Sequence, residues 1–203
     1  MEFREVVNGR KSVRKFRPDP VPTQDVLDVI GVAVRAANAG NKQNWRFYAV
    51  SNPGMIAGMR DAVDSEIKQI KRAAGRSPDS DRFSIFFGEA PLVIAVASNP
   101  YESSMDKLMA EAGMPEDERI RRRQRPDIQS IGGCIQLLLC AAHEKGYGAC
   151  WMTAPMVARD QLEKILGIEP PAELCALIPV GKPAEDLPGT SRWPLEKVVT
   201  LIE

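Results

Sequence analysis

Residues 9–16 read GRKSVRKF, with four cations (Arg10, Lys11, Arg14 and Lys15) around one hydroxyl, Ser12. Arginine and lysine side chains beside a hydroxyl can place several charge-assisted donors on one phosphate. On an extended segment, residues alternate sides with a period of two. Arg10, Ser12 and Arg14 then share one side, and Lys15 points away. The same stretch could also track a nucleic acid or form a solvated basic loop, and its charge alone does not choose. A second stretch, NAGNKQNW (Asn38–Trp45), offers small residues and carboxamides that suit close contact with a ligand. It also reads as a helix stop and turn, with Gly40 and Asn41 at positive φ. A third, GYGACWMT (Gly146–Thr153), enters a strand from a helix stop. It lacks the G-x-G-x-x-G of a dinucleotide fold, so a Rossmann reading fails. A fourth, TSRWPLEKV, sets Arg192 beside Trp193 in a Pro/Gly-rich tail.

The densest basic stretch is ERIRRRQRP, with five arginines between Arg119 and Arg125. Acidic MPEDE precedes it and no aromatic residue interleaves it, so it reads as a solvated face and not as a base-stacking platform. The chain holds 27 Lys+Arg against 27 Asp+Glu, and this balance argues against a dedicated nucleic-acid binder. His143 is the sole histidine, which leaves little for a zinc site or a Ser-His-Asp triad; near a helix end it serves as a dipole complement. Cys134, Cys140, Cys150 and Cys175 sit in apolar surroundings without C-x-x-C spacing, as reduced, buried cysteines would. The opening MEFREVVNGR has no apolar run, and PLVIAVA is too short to span a bilayer. A cytoplasmic protein without membrane or nucleic-acid partners is expected.

These residues need elements to position them. A short helix over Glu2–Asn8 should end at Gly9. RPDPVP forbids helix, and Thr23 then caps a helix carrying Val26, Leu27, Ile30 and Val34 that stops before Gly40. Strands are expected at Trp45–Val50, Pro91–Ala97, Ala149–Thr153 and Leu174–Val180, with a fifth at Val198–Ile202. Helices are expected over Met55–Ala74, Ser104–Ala112, Asp127–Lys145 and Arg159–Leu166. The Asp127–Lys145 helix is apolar all round, which places it in the core or in a subunit interface. This alternation gives an α/β or α+β class. Residues 1–203 suit one domain, with a lid at about 76–125 formed by Arg76–Gly88 (including Phe83, Phe86 and Phe87) and the Tyr101–Arg125 excursion.

In chain order, RxSxR, RPDPVP, NKQNWRF, EAPLVIAV, IQLLLCAAHEKGYGACW, VGKPAEDLP and SRWPLEKVV resemble the nitroreductase family of FMN-dependent oxidoreductases. That resemblance covers nearly the whole chain and implies an α+β fold. Its central, mostly antiparallel sheet would be flanked by helices and built into an intertwined homodimer with FMN at the interface. It makes Arg10, Lys11, Ser12 and Arg14 ligands of the FMN phosphate and ribityl chain. Asn38, Ala39 and Gln43 would form a loop along the flavin, Trp151, Met152 and Thr153 would touch its ring, and Arg192 would return to the phosphate. Departures are Ala37-Asn38 for a common Pro-Ser, Asn44 for a proline before Trp45, and Thr190 where some members place lysine. The implied chemistry is ping-pong: hydride from NADH or NADPH, then reduction of a nitroaromatic, quinone or similar acceptor. A flavin-consuming or dehalogenating branch is the alternative within the fold. The protein's part is orientation and tuning, with Arg14 or Lys11 beside the flavin N1–C2 edge and no indispensable catalytic side chain.

Overall fold

A computed structural model describes residues 1–202. Four strands form one open antiparallel sheet in the order β1 (Trp45–Val50), β2 (Leu92–Ser98), β4 (Glu173–Gly181), β3 (Gly148–Ala149). Every residue of β2 is buried, as a strand covered on both faces must be, and its unbroken run LVIAVAS supplies the apolar atoms. One face is covered by α2 (Thr23–Ala33) and α7 (Pro126–Glu144), through a core that includes Val29, Ile135, Leu138 and Ile178. The other is covered by α3 (Pro53–Ala73) and α8 (Arg159–Leu166), through Met59, Val63, Phe87, Leu162 and Leu174. The expected α+β architecture, a mostly antiparallel sheet between helices, is the one found.

Four further helices lie outside these layers. The first, α1 (Phe3–Gly9), opens on a capping box between Glu2 and Glu5, with the Glu2 N–H donating to Glu5 Oε2 at 2.9 Å. Two more are α4 (Arg82–Ile85) and α5 (Ser104–Glu111). The fourth, α6 (Glu116–Arg123), is absent from the sequence reading, although its signal was present. Glu116, Asp117 and Glu118 open it and Arg121, Arg122 and Arg123 close it, so its charges oppose the helix dipole at both ends.

Several expectations need correction. Thr23 is the first helical residue of α2 and not its cap; Pro22 precedes it and no side chain caps that end. The third strand contracts from Ala149–Thr153 to Gly148–Ala149, because Trp151 turns outward and Met152 keeps only one bridge, to Leu177. The fifth strand is not formed. After a 3-10 turn at Leu195–Lys197 the tail runs along the surface, with Leu201 84% and Ile202 93% exposed. An apolar strand without a sheet edge to pair with stays unpaired, and within one chain this tail reaches none.

Candidate functional site

The cationic segment is extended because both of its sides are pinned. Gly9 ends α1, and Arg10 follows in the β region. The Val13 N–H donates to the Ala149 carbonyl at 3.0 Å, and Ser12 bridges Ala149 in parallel. The Arg17 N–H donates to the Lys182 carbonyl at 2.8 Å, and the Ala184 N–H to the Lys15 carbonyl at 3.1 Å. Val13 is buried against β3, where a side-chain carbon on Gly148 would stand 2.6 Å from Val13 Cβ. Only glycine permits that approach, so Gly148 sets how closely the segment docks.

With Val13 turned in, Ser12 and Arg14 turn out, as the period of two requires. Among the described residues, Arg10 has neither an ion-pair partner nor a side-chain hydrogen bond. Arg14 has only its own segment, NH1 donating to the Ser12 carbonyl at 3.3 Å. Lys11 is engaged, its Nζ donating to the Leu187 carbonyl. Lys15 pairs with Glu185 at 2.9 Å. It nevertheless lines the same cavity as Ser12 and Arg14, which corrects the expectation that it leaves the site.

The arginine-rich α6 is the opposite case. Arg121 NH2 and Arg122 Nε lie 2.8 and 2.7 Å from Glu118 Oε1. Together they hold the Glu118 carboxyl down at about 2. Arg123 pairs with Asp106 at 2.9 Å and Arg125 with Asp127 at 2.8 Å. Four of the five arginines in this run are thus held by carboxylates, all but Arg119, whereas the less dense GRKSVRKF keeps two arginines unpaired.

His143 stands beside the segment: a side-chain carbon on Gly9 would meet its Nε2 at 2.6 Å. Burial first, and then the charges of Arg10 and Lys11, hold the imidazole below its ordinary value. These surroundings disfavour the charged imidazole, which runs against the reading of His143 as a cation at a helix end. Burial pushes the Cys150 thiol up, while Arg14, the Ser12 hydroxyl and Arg10 pull it back, so Cys150 belongs to the same cluster. Burial likewise raises Cys134 to about 12 and Cys175 to about 11, as inert, structural thiols would show.

The Asn38–Gln43 loop is built as the turn reading expects, with Gly40 at φ 58°, Asn41 at 51° and Gln43 at 48°. The Asn38 carboxamide closes it, Oδ1 accepting from the Gln43 N–H at 2.9 Å and Nδ2 donating to the Ala36 carbonyl at 3.2 Å. The Ala39 N–H donates to Ser130 Oγ on α7 at 3.0 Å. Asn44, in place of a proline, is buried and ties β1 to the end of β2, its Nδ2 donating to Ser98 Oγ at 2.7 Å. This loop meets α7 at Ser130, whereas Arg10 meets it at His143. At about 1.5 Å per residue these points lie about 20 Å apart along the helix. One chain therefore does not bring Asn38, Ala39 and Gln43 together with the cationic segment.

Trp151 is 40% exposed and lies across the middle of α7, where a side-chain carbon on Gly132 would be 3.4 Å from its ring. Met152 is buried, and its N–H and carbonyl are both taken by Leu177 at 3.0 Å. Thr153 is exposed, at the start of a 3-10 turn. Arg192 is exposed on the tail and folds back on its own neighbours, NH1 donating to Thr190 Oγ1 at 2.6 Å. None of its hydrogen bonds reaches the cationic segment.

The structure adds Arg82 and Phe83. With Phe86 and Leu187 they enclose a cavity of about 270 Å³ over Ser12 and Arg14. Phe83 is 74% exposed, which fits a lid, but Phe87 is fully buried against the sheet and is core, contrary to the lid expectation. Phe86 is buried as well, although it reaches the cavity wall. A short capped turn, with the Ser84 hydroxyl donating to Asp81 Oδ2 at 2.6 Å, fixes this corner. Only FSIFF hinted at it in the sequence. Among the described residues no cluster of His, Cys, Asp and Glu could hold a metal ion, and no helix is long and apolar enough to cross a membrane.

An open antiparallel sheet between helix layers, with a pinned cationic segment at its β3 edge, defines the α+β class of this protein. The sequence pattern of the Nitroreductase family matches residues 7–182, and the chain belongs to that family as an oxidoreductase. A Bacillus subtilis (strain 168) protein named as NAD(P)H nitroreductase YfhC is 26% identical over 198 residues, 95% of this chain and 90% of its own. A crystal structure of a BluB-like flavoprotein from Clostridium difficile 630 superposes with a TM-score of 0.91, at 28% identity and 100% coverage of both chains. Iodotyrosine deiodinase of Hydra vulgaris is 24% identical over 208 residues, 98% of this chain and 72% of its own. A solved iodotyrosine deiodinase bound to FMN and 3-iodo-L-tyrosine shares the fold, with a TM-score of 0.72 at 20% identity and coverage of 98% and 97%.

Proposed function

We propose that this protein is an FMN-dependent oxidoreductase that takes reducing equivalents from NADH or NADPH and delivers them to a nitroaromatic, quinone or similar acceptor. The observation that carries this reading is the pair of unpaired arginines, Arg10 and Arg14, flanking Ser12 on a segment pinned at both edges. Unmet cationic donors held in one place suit a phosphate, and the family resemblance makes that phosphate the one of FMN. When bound, the flavin supplies the hydride-accepting and electron-donating chemistry, with donor and acceptor following one another in a ping-pong sequence. The chain's own residues bind and orient. Arg10, Lys11, Ser12 and Arg14 would take the phosphate and ribityl chain, and Arg14 or Lys11 would supply the cation for the flavin N1–C2 edge. Trp151, Met152 and Thr153 would bound the ring, and Arg192 would complete the grip.

The remaining ligands come from a second copy in this reading. Asn38, Ala39 and Gln43 lie about 20 Å along α7 from Arg10, and the tail with Arg192 is unpaired, so a two-fold partner would supply what one chain separates. Ile128, Gln129, Gly133 and Gln136 form an uncovered strip on α7 for such a partner. The working unit is then a cytoplasmic homodimer of single-domain subunits with FMN at the interface.

A second reading, reductive dehalogenation of an aromatic, is favoured by the iodotyrosine deiodinases that match nearly all of this chain. One experiment addresses both readings. The purified protein should be yellow and should bleach anaerobically with NADH or NADPH. The colour should return on adding a quinone or nitroaromatic under the first reading, or 3-iodotyrosine with iodide release under the second. A colourless protein that neither binds FMN nor quenches its fluorescence contradicts both.

A further inference from the structure

A second cavity lies away from the Arg10–Arg14 segment. It encloses about 470 Å³ between α6, the chain leaving β2 and the start of α7, a size ordinary for a small-molecule site. Three arginines line it, and two are spent. Arg123 donates to Asp106 at 2.9 Å and to Ser103 Oγ at 3.4 Å, and Arg125 pairs with Asp127 at 2.8 Å. The third, Arg119, has no ion-pair partner among the described residues, and its Nε is buried without an acceptor. A buried guanidinium N–H without a partner is rare and calls for an acceptor that the chain does not supply. Glu116, one turn earlier on α6, lines the same cavity but lies on the exposed first turn, where water and the helix dipole satisfy it. The unmet need is thus for an anion at Arg119.

The rest of the lining narrows the class. Tyr101, Ile120 and Pro126 give an apolar wall. Five carboxylates (Glu102, Asp106, Glu116, Asp127 and Glu173) face three arginines. Even with Glu102 paired to Lys107 at 3.8 Å and Glu173 to Arg159 at 3.7 Å, a dianion entering there meets more repulsion than a monoanion. We propose that this cavity binds a small monoanionic carboxylate with a flat apolar body, its carboxylate held by the planar fork of Arg119. The occupant rests beside Tyr101, whose hydroxyl oxygen stands 3.5 Å from where a side-chain carbon on Gly40 would be. Tyr101 thus stands between the site and Gly40, while no residue of the Asn38–Gln43 loop lines the cavity. It uses none of the residues assigned to the flavin, so it stands or falls independently of that reading.

The test is a titration of the protein as purified with benzoate, benzyl alcohol and inorganic phosphate, followed by backbone amide NMR. Benzoate should shift the amides of Tyr101 and Arg119 and bind at least about tenfold more tightly than benzyl alcohol, because only the anion engages the fork. Arg119→Gln should weaken benzoate by about tenfold or more and leave benzyl alcohol unchanged, and Arg121→Gln should alter neither. Arg119→Lys, which keeps the charge but loses the fork, should fall between, and the amide spectrum itself reports whether each variant is folded. Three results each overturn the proposal: equal affinity for benzoate and benzyl alcohol, benzoate shifts confined to Arg10–Arg14, or indifference to Arg119→Gln. Phosphate binding at these amides more tightly than benzoate overturns the assigned class.

Discussion

Arg10 and Arg121 carry the same guanidinium but differ in what surrounds them. Arg121 is bonded through Nε and NH2 to Glu118 at 2.9 and 2.8 Å, while Arg10 has no carboxylate partner among the described residues. Arg10→Ala should therefore weaken FMN binding by about 1.5–3 kcal/mol, or about 10–150-fold, whereas Arg121→Ala should leave it unchanged. Titration of FMN fluorescence quenching measures both. A pH dependence follows from His143, whose folded value lies below the unfolded 6.5. In the window between these values the unfolded chain binds a proton that the folded chain does not. Stability is therefore complete above about 6.5 and falls as pH drops through the window. Thermal melts at pH 7 and pH 5 should show a smaller acid loss for His143→Gln than for the parent, by a few °C. The alternation Arg10, Ser12, Arg14 was legible because an extended segment has a fixed period. The use of both ends of the Asn38 carboxamide to close its own loop was not, since it depends on where Gln43 and Ala36 fall in space.

At the scale of elements, β2 and α7 could be read from composition: LVIAVAS is buried throughout, and the apolar residues of IQLLLCAA pack into the core while Gln136 stays exposed on the uncovered strip. The arginine helix α6 was missed because a charge run has no apolar period, although its acid-to-base order suits the helix dipole. Gly148 ties the β3 edge to function. Gly148→Ala should drive Val13 outward, since the added carbon would stand 2.6 Å from Val13 Cβ, and so shift Ser12 and Arg14. We expect a fall of about tenfold or more in FMN affinity without any change to a ligand. Isothermal titration checks this, with circular dichroism confirming the fold. In α7, Ile135 is fully buried, so Ile135→Ala should cost about 2–5 kcal/mol in denaturant unfolding.

The whole molecule explains the one strand that did not form. Val198–Ile202 reads as a strand by composition, yet it lies exposed with Trp193 74% exposed beside it, because it reaches no sheet edge of its own chain. Strand propensity is a local property and pairing is not, so the sequence could show the tail's character without its place. Sedimentation should give about 45 kDa, twice the 22.4 kDa of one chain. Truncation after Pro188 should yield a species nearer one chain with weakened FMN binding. An intact dimer with unchanged affinity would remove the tail and Arg192 from the account.

The central claim is that GRKSVRKF is a phosphate clamp, and it is tested by comparing FMN with riboflavin, which has the same ring and ribityl chain but no phosphate. FMN should bind at least about 100-fold more tightly, and Arg10→Ala should remove most of that difference by weakening FMN alone. Equal affinity for the two flavins, or an FMN preference untouched by Arg10→Ala, would contradict it.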